Sequence, residues 1–163
     1  MKILLSFLLV FNLGFSVQAQ QDSLPLYKRF PQVPPLSIIT VPDSTRFTKE
    51  DLHKKKPVLI IVFSPDCEHC QHAIKDLEEN AAAFKKVQVI MVSALDHSII
   101  KKFYYEYNIS SYPNIIVGRD ANYFLGSFFS ITNFPSIFLY DKKGNFVEKF
   151  EGDVSFTKIA ARL

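Results

Sequence analysis

Two cysteines occur in the 163 residues, Cys67 and Cys70, three positions apart. Thiols at that spacing can close to a disulfide, reopen to a dithiol, or ligate a metal ion. An apolar, β-branched run (58–63) precedes them and a helix-like segment (71–84) follows. The pair is therefore expected where a buried strand ends and a helix begins, a setting that marks redox chemistry. One helical turn supplies the Cα separation of about 4.4–6.8 Å that a disulfide requires. The first turn also aims unpaired N–H groups and the positive end of its dipole at Cys67, which favours the nucleophilic thiolate. His69, when protonated, pushes the same way.

Three blander readings fit the same residues. A static disulfide across one turn closes a very short loop and contributes little stability, whereas structural bridges usually join distant segments. A metal site could draw on Cys67, Cys70, His69 and His72, but a structural zinc site usually takes its second ligand pair from elsewhere in the chain. His53 and His97 are the other histidines, and neither belongs to a paired motif. Two inert buried thiols fit poorly with Asp66, Glu68 and His69 around them.

The surrounding chain must place this pair. Lys2, an apolar core over residues 3–15 and the small-residue ending Val17-Gln18-Ala19 predict a secretory signal peptide over residues 1–19, cut after Ala19. An uncleaved N-terminal anchor is the alternative. No cysteine follows the apolar core to accept a lipid. The remainder is long enough for one domain with a real core. A formal net charge of +3, which falls by one with Lys2, is too weak to imply a nucleic-acid or membrane partner. Lys54-Lys55-Lys56 and Lys101-Lys102 read as solvated runs, and the many phenylalanines read as core.

Residues 20–35 are polar and dotted with prolines, and are expected as an extended leader. A domain over residues 36–163 follows. Strands are expected over 36–41, 58–63, 87–92, 136–140 and 146–151, with a short apolar run at 114–117. Thr48 with Asp51 marks one helix start, Asp96 or Ser98 a second, and Ser155 a last one. Gly118-Arg119-Asp120 reads as a turn before a small helix over 121–128. Residues 141–145 read as a hairpin turn. Strand–helix–strand–helix followed by a hairpin and a helix makes an α/β fold with a mixed central sheet.

Two motifs carry a family resemblance, the Cys-x-x-Cys at the strand–helix junction and Pro135 leading a strand that ends in Asp141-Lys142-Lys143-Gly144. Together they resemble the thioredoxin-like superfamily, most closely the exported TlpA/ResA-type thiol–disulfide oxidoreductases, over residues 36 to 163. The resemblance implies a thioredoxin-like fold with a helix–strand unit inserted before the cis-proline strand. It also implies a cis Pro135 packed against the dithiol, with Phe134 shaping the groove. Pro113, in Ser111-Tyr112-Pro113, is the competing cis-proline candidate. The family's usual proton acceptors for the second thiol are absent, since Ile61 and Ala73 stand in their places. Asp66, Glu68, His69 or water would have to serve. A histidine at position 69 resembles that of oxidising family members and stabilises a Cys67 thiolate; Glu68 offsets it.

These residues predict an exported, periplasmic enzyme that exchanges a Cys67–Cys70 disulfide with protein substrates, more as reductase than oxidase. It needs no cofactor or metal. Its expected partners are exported proteins bearing thiols or disulfides and a membrane-linked electron donor, not nucleic acid. The alternatives on the same fold are a copper-binding module with His97 as distant donor, a chaperone module, and a thiol peroxidase, for which Ser64 occupies the usual hydroxyl position.

Overall fold

The computed structural model of the chain describes residues 24–163. The expected signal peptide and its cleavage point lie outside the described residues. Seven strands form one mixed sheet: β1 (Ser37–Val41), β2 (Arg46–Thr48), β3 (Val58–Val62), β4 (Gln88–Ser93), β5 (Ile115–Arg119), β6 (Ser136–Tyr140) and β7 (Phe146–Glu151). Their order is β2-β1-β5-β4-β3-β6-β7. β3, β4 and β5 run parallel, while β6 pairs antiparallel with β3. The helices are α1 (Leu26–Arg29), α2 (Glu68–Glu79), α3 (Ala81–Phe84), α4 (His97–Glu106), α5 (Phe124–Phe129) and α6 (Phe156–Ala160).

Central position explains the composition of β3. All five of its residues are buried, so the run is continuously apolar rather than alternating. Side chains of a strand alternate between faces. Leu59 and Ile61 accordingly join one core with Ile74, Leu77, Phe84, Ile100, Phe103 and Phe156 from α2, α3, α4 and α6. Val58, Ile60 and Val62 join a second core on the opposite face with Tyr27, Phe129, Phe138 and Tyr140. There the Phe129 and Phe138 rings stack, centroids 3.8 Å apart.

The inserted unit appears as expected before β6: α4, β5 and α5 follow β4, and β5 lies between β4 and β1. Gly118, however, is not a turn residue. It lies within β5 opposite Thr40 of β1. A Cβ there would come within 2.8 Å of Ile38 Cδ1 and 2.9 Å of the Ile39 carbonyl oxygen. Glycine is used because the neighbouring strand approaches too closely for a side chain.

Other local differences have equally local causes. The long helix expected after Cys70 breaks at Asn80, whose Nδ2 donates to the carbonyl and the Oδ1 of Asp76, both at 2.8 Å. A side-chain amide bonding the preceding turn competes with helix continuation. Thr48 begins only a single 3-10 turn (Lys49–Asp51), with its N–H donating to Asp51 Oδ2 at 2.8 Å. Asp96 is the N-cap residue of α4, its carbonyl accepting the Ile99 and Ile100 N–H groups, but its carboxylate pairs with Arg119 at 2.9 Å rather than capping the helix. Ser155 does cap α6, accepting the Thr157 N–H at 3.3 Å.

The described part of the leader is less open than expected. It carries the one-turn helix α1, and Tyr27 and Val33 are buried. The Val33 N–H donates to Gly144 O at 2.9 Å, and the Phe146 N–H donates to Pro31 O at 2.8 Å. The polar composition of this stretch hides two apolar anchors spaced to reach the second core.

Candidate active site

Phe63 ends the apolar run, and Ser64-Pro65-Asp66 carries the chain from β3 into α2. Cys67 is the N-cap residue of α2, in extended conformation, with its carbonyl accepting the Cys70 and Gln71 N–H groups at 3.0 and 3.1 Å. The loop is stiffened from both sides. The Cys67 N–H donates to Ser64 O at 3.1 Å, Gln71 Nε2 donates to Pro65 O at 3.0 Å, and the Ser64 hydroxyl donates to the Asp66 carboxylate. Cys67 is half-buried; Cys70, one turn inward, is 2% exposed. Both are free thiols.

The Phe134–Pro135 bond is cis. The Cys67 thiol donates to the Phe134 carbonyl oxygen at 3.7 Å. The turn leading into β6 therefore faces the outer sulfur from the strand next to β3. Pro113 is not in a cis bond; Val41–Pro42 is, at the end of β1, where nothing in the sequence pointed to it. Burial pushes the Cys70 thiol far above its ordinary value, opposed by the Ser64 backbone contact and reinforced by Cys67 and the nearby Asp66 carboxylate. The inner sulfur is thus held protonated and shielded, the outer one accessible.

Glu68 and His69 are exposed on the first turn of α2. His69 faces a polar cleft of about 390 Å³ shared with His72, Asp76, Asp153 and Lys158. Asp76 ties that region together, since its Oδ2 also accepts the Phe156 N–H at 2.6 Å. His97 lies elsewhere, its Nε2 3.0 Å from the Thr40 carbonyl and 3.2 Å from the Ser44 hydroxyl. Among the described residues, no three or more His, Cys, Asp or Glu side chains are grouped so as to hold a metal ion.

Sequence reasoning missed a mostly apolar cavity of about 290 Å³ at the Ser64 and Phe134 end of the sheet. Phe63, Ser64, Leu95, Asp120, Tyr123 and Phe134 line it. Tyr123 adopts a left-handed backbone (φ +52°), and a Cβ on Gly126 would overlap its ring. Asp120 is buried, with Oδ2 accepting the Leu125 N–H at 2.7 Å. No motif marks these residues. The available signal was a charged residue closing an apolar strand.

A strand-to-helix Cys-x-x-Cys opposed by a cis proline, set in this sheet order, defines a thioredoxin-like protein. The chain belongs to the thioredoxin-like domain family, which matches residues 48–163. No curated protein matches it in sequence. Among solved structures, the thioredoxin domain of a thiol-disulfide oxidoreductase from Bacteroides vulgatus is 26% identical. That match covers 80% of this chain and 94% of the other, with a TM-score of 0.63. A secreted Mycobacterium tuberculosis disulfide oxidoreductase homologous to E. coli DsbE is 19% identical, covering 78% and 93%, with a TM-score of 0.66. The exposed lipoprotein thioredoxin of Streptococcus pneumoniae is 20% identical, covering 80% and 100%, with a TM-score of 0.63.

Proposed function

We propose that the chain is an exported thiol–disulfide oxidoreductase that reduces disulfides in protein substrates. The observation that carries this is the asymmetric pair: a half-exposed Cys67 at the N-terminus of α2, its thiol bonded to the Phe134 carbonyl, with Cys70 buried behind it. The Cys67 thiolate attacks one sulfur of a substrate disulfide and expels the other as a thiolate. Cys70 then gives up its proton and attacks the Cys67 sulfur, releasing the second substrate thiol. Two electrons pass to the substrate, and the chain is left with a Cys67–Cys70 disulfide that a donor must reduce. Pro135 presents no N–H, so an extended substrate can pair with the Phe134 carbonyl side of the groove.

The reducing direction rests on the charges around the sulfurs. Strong oxidants stabilise their reduced form. Here burial above all, with Cys67 and lastly the Asp66 carboxylate, disfavours ionisation of Cys70, and Glu68 sits on the first turn of α2. Export rests on the signal-peptide pattern of residues 1–19, and the secreted and surface-exposed proteins that share the fold accord with it. Replacing Cys67 with serine abolishes turnover of insulin or glutathione disulfide; undiminished turnover overturns the proposal.

A further inference from the structure

The pole of the sheet opposite the dithiol gathers basic residues from distant parts of the chain. Lys54, Lys55 and Lys56 precede β3, while Lys142 and Lys143 follow β6, its antiparallel neighbour. All five are exposed, and they line a cleft of about 380 Å³ together with Lys49 and His53. None of the five makes an ion pair with a described residue. Asp51 accepts from Thr48, and Asp141 accepts the Lys143 and Asn145 N–H groups at 2.8 Å and also feels the Lys143 charge; the two carboxylates offset only part of the positive charge of five lysines.

The supporting framework is fixed. Buried Gln88 holds the first lysine loop by accepting the His53 N–H at 2.5 Å and donating to the His53 carbonyl at 3.0 Å. The 141–145 turn is closed by Asp141. Gln32 and Val33 of the leader form another wall of the same cleft. Immediately before them, Leu24 (46%), Leu26 (38%) and Phe30 (58%) are exposed apolar side chains, interleaved with exposed Lys28 and Arg29. The bond between Phe146 and Pro31 holds this stretch against the lysine-bearing hairpin.

Exposed Phe30, next to the leader residue that bonds the hairpin, and five lysines without an ion pair to a described residue match the two components of a bilayer interface, an acyl boundary and anionic headgroups. A polyanion without an apolar layer would need only the lysines. We propose that this pole docks peripherally on membranes containing anionic phospholipid. Lys54–Lys56, Lys142 and Lys143 meet headgroup phosphates, and Phe30 enters the interface. The chain's small net charge conceals the site because the fold concentrates positive charge at one end. Docking there turns Cys67 away from the bilayer, beyond the length of β3, roughly 17 Å at about 3.3 Å per residue. This placement does not depend on the redox proposal.

Every described strand and helix and both cores lie within residues 26–160, so a chain beginning at Gln20 keeps the whole fold and lacks the apolar stretch that would bind lipid by itself. Its co-sedimentation with phosphatidylglycerol–phosphatidylcholine vesicles, with pure phosphatidylcholine vesicles, and with the anionic vesicles plus inorganic phosphate tests the proposal. Binding is expected only with the anionic vesicles, falls with added salt, and at matched ionic strength is the same in phosphate as in chloride. Combining Lys54→Gln, Lys142→Gln and Lys143→Gln weakens it by a factor on the order of a hundred. Phe30→Ser weakens it separately, and both variants keep the parent's melting transition and its rate with glutathione disulfide. Equal binding to neutral vesicles, unchanged binding by the lysine variant, or stronger displacement by phosphate than by chloride at the same ionic strength overturns the proposal.

Discussion

At the residue scale the account rests on the difference between two sulfurs one helical turn apart. Cys67 is half-exposed and Cys70 is enclosed. In the reduced native chain, iodoacetamide is therefore expected to modify Cys67 first and to reach Cys70 only after unfolding; mass mapping of the alkylated peptides reads this directly. Cys70→Ser leaves attack intact and removes resolution, so mixed disulfides with substrate accumulate and are visible on non-reducing gels. The raised Cys70 titration also has a consequence for stability. In the unfolded chain the thiol ionises near 8.5, whereas in the fold it stays protonated to much higher pH. Below about 8.5 both states are protonated and the group contributes no slope. Above it the unfolded state binds fewer protons, so stability falls as pH rises. Urea midpoints of the reduced chain should decline above that pH, and the decline should be shallower in Cys70→Ser.

At the element scale, the motif works only if α2 is held in place at both ends. Its start is fixed by the Ser64–Gln71 loop bonds, and its far end by Asp76, which accepts from Asn80 and from the Phe156 N–H of α6. Asp76→Ala leaves that N–H unpaired in a half-buried setting and is expected to destabilise the fold by about 1–3 kcal/mol. Asp76→Asn should recover part of the loss; equilibrium denaturation compares the two. On the insert side, Gly118→Val forces a side chain against the Ile39 carbonyl. It should cost more than Val117→Ala, a buried neighbour in the same strand, for which about 1–3 kcal/mol is ordinary.

At the scale of the whole molecule, legibility followed the kind of constraint. The central strands were readable because burial on both faces leaves a continuous apolar run, and β6 and β7 were readable because Pro135 and the 141–145 turn delimit them. The sulfur pair was readable because it depends on one residue type at a fixed spacing; the cis proline was narrowed by resemblance to Pro135 or Pro113, and the cis Val41–Pro42 bond carried no signal. What stayed hidden depends on contacts between distant segments. Gly118 looks like a turn until β1 is laid beside it. Tyr27 and Val33 look like loop residues until the hairpin covers them. The cavity at the Ser64 and Phe134 end of the sheet is assembled from the ends of β3, β4 and β5 together with α5 and Phe134, none of which carries a local signature. The lysine pole unites runs that are unremarkable one at a time.

The central claim is that this pair gives electrons to protein disulfides. Equilibrating the chain with glutathione buffers and counting free thiols by alkylation measures its potential. The account predicts a value near thioredoxin's, about −270 mV. A value near −120 mV, or thiols that do not exchange with glutathione at all, would contradict it.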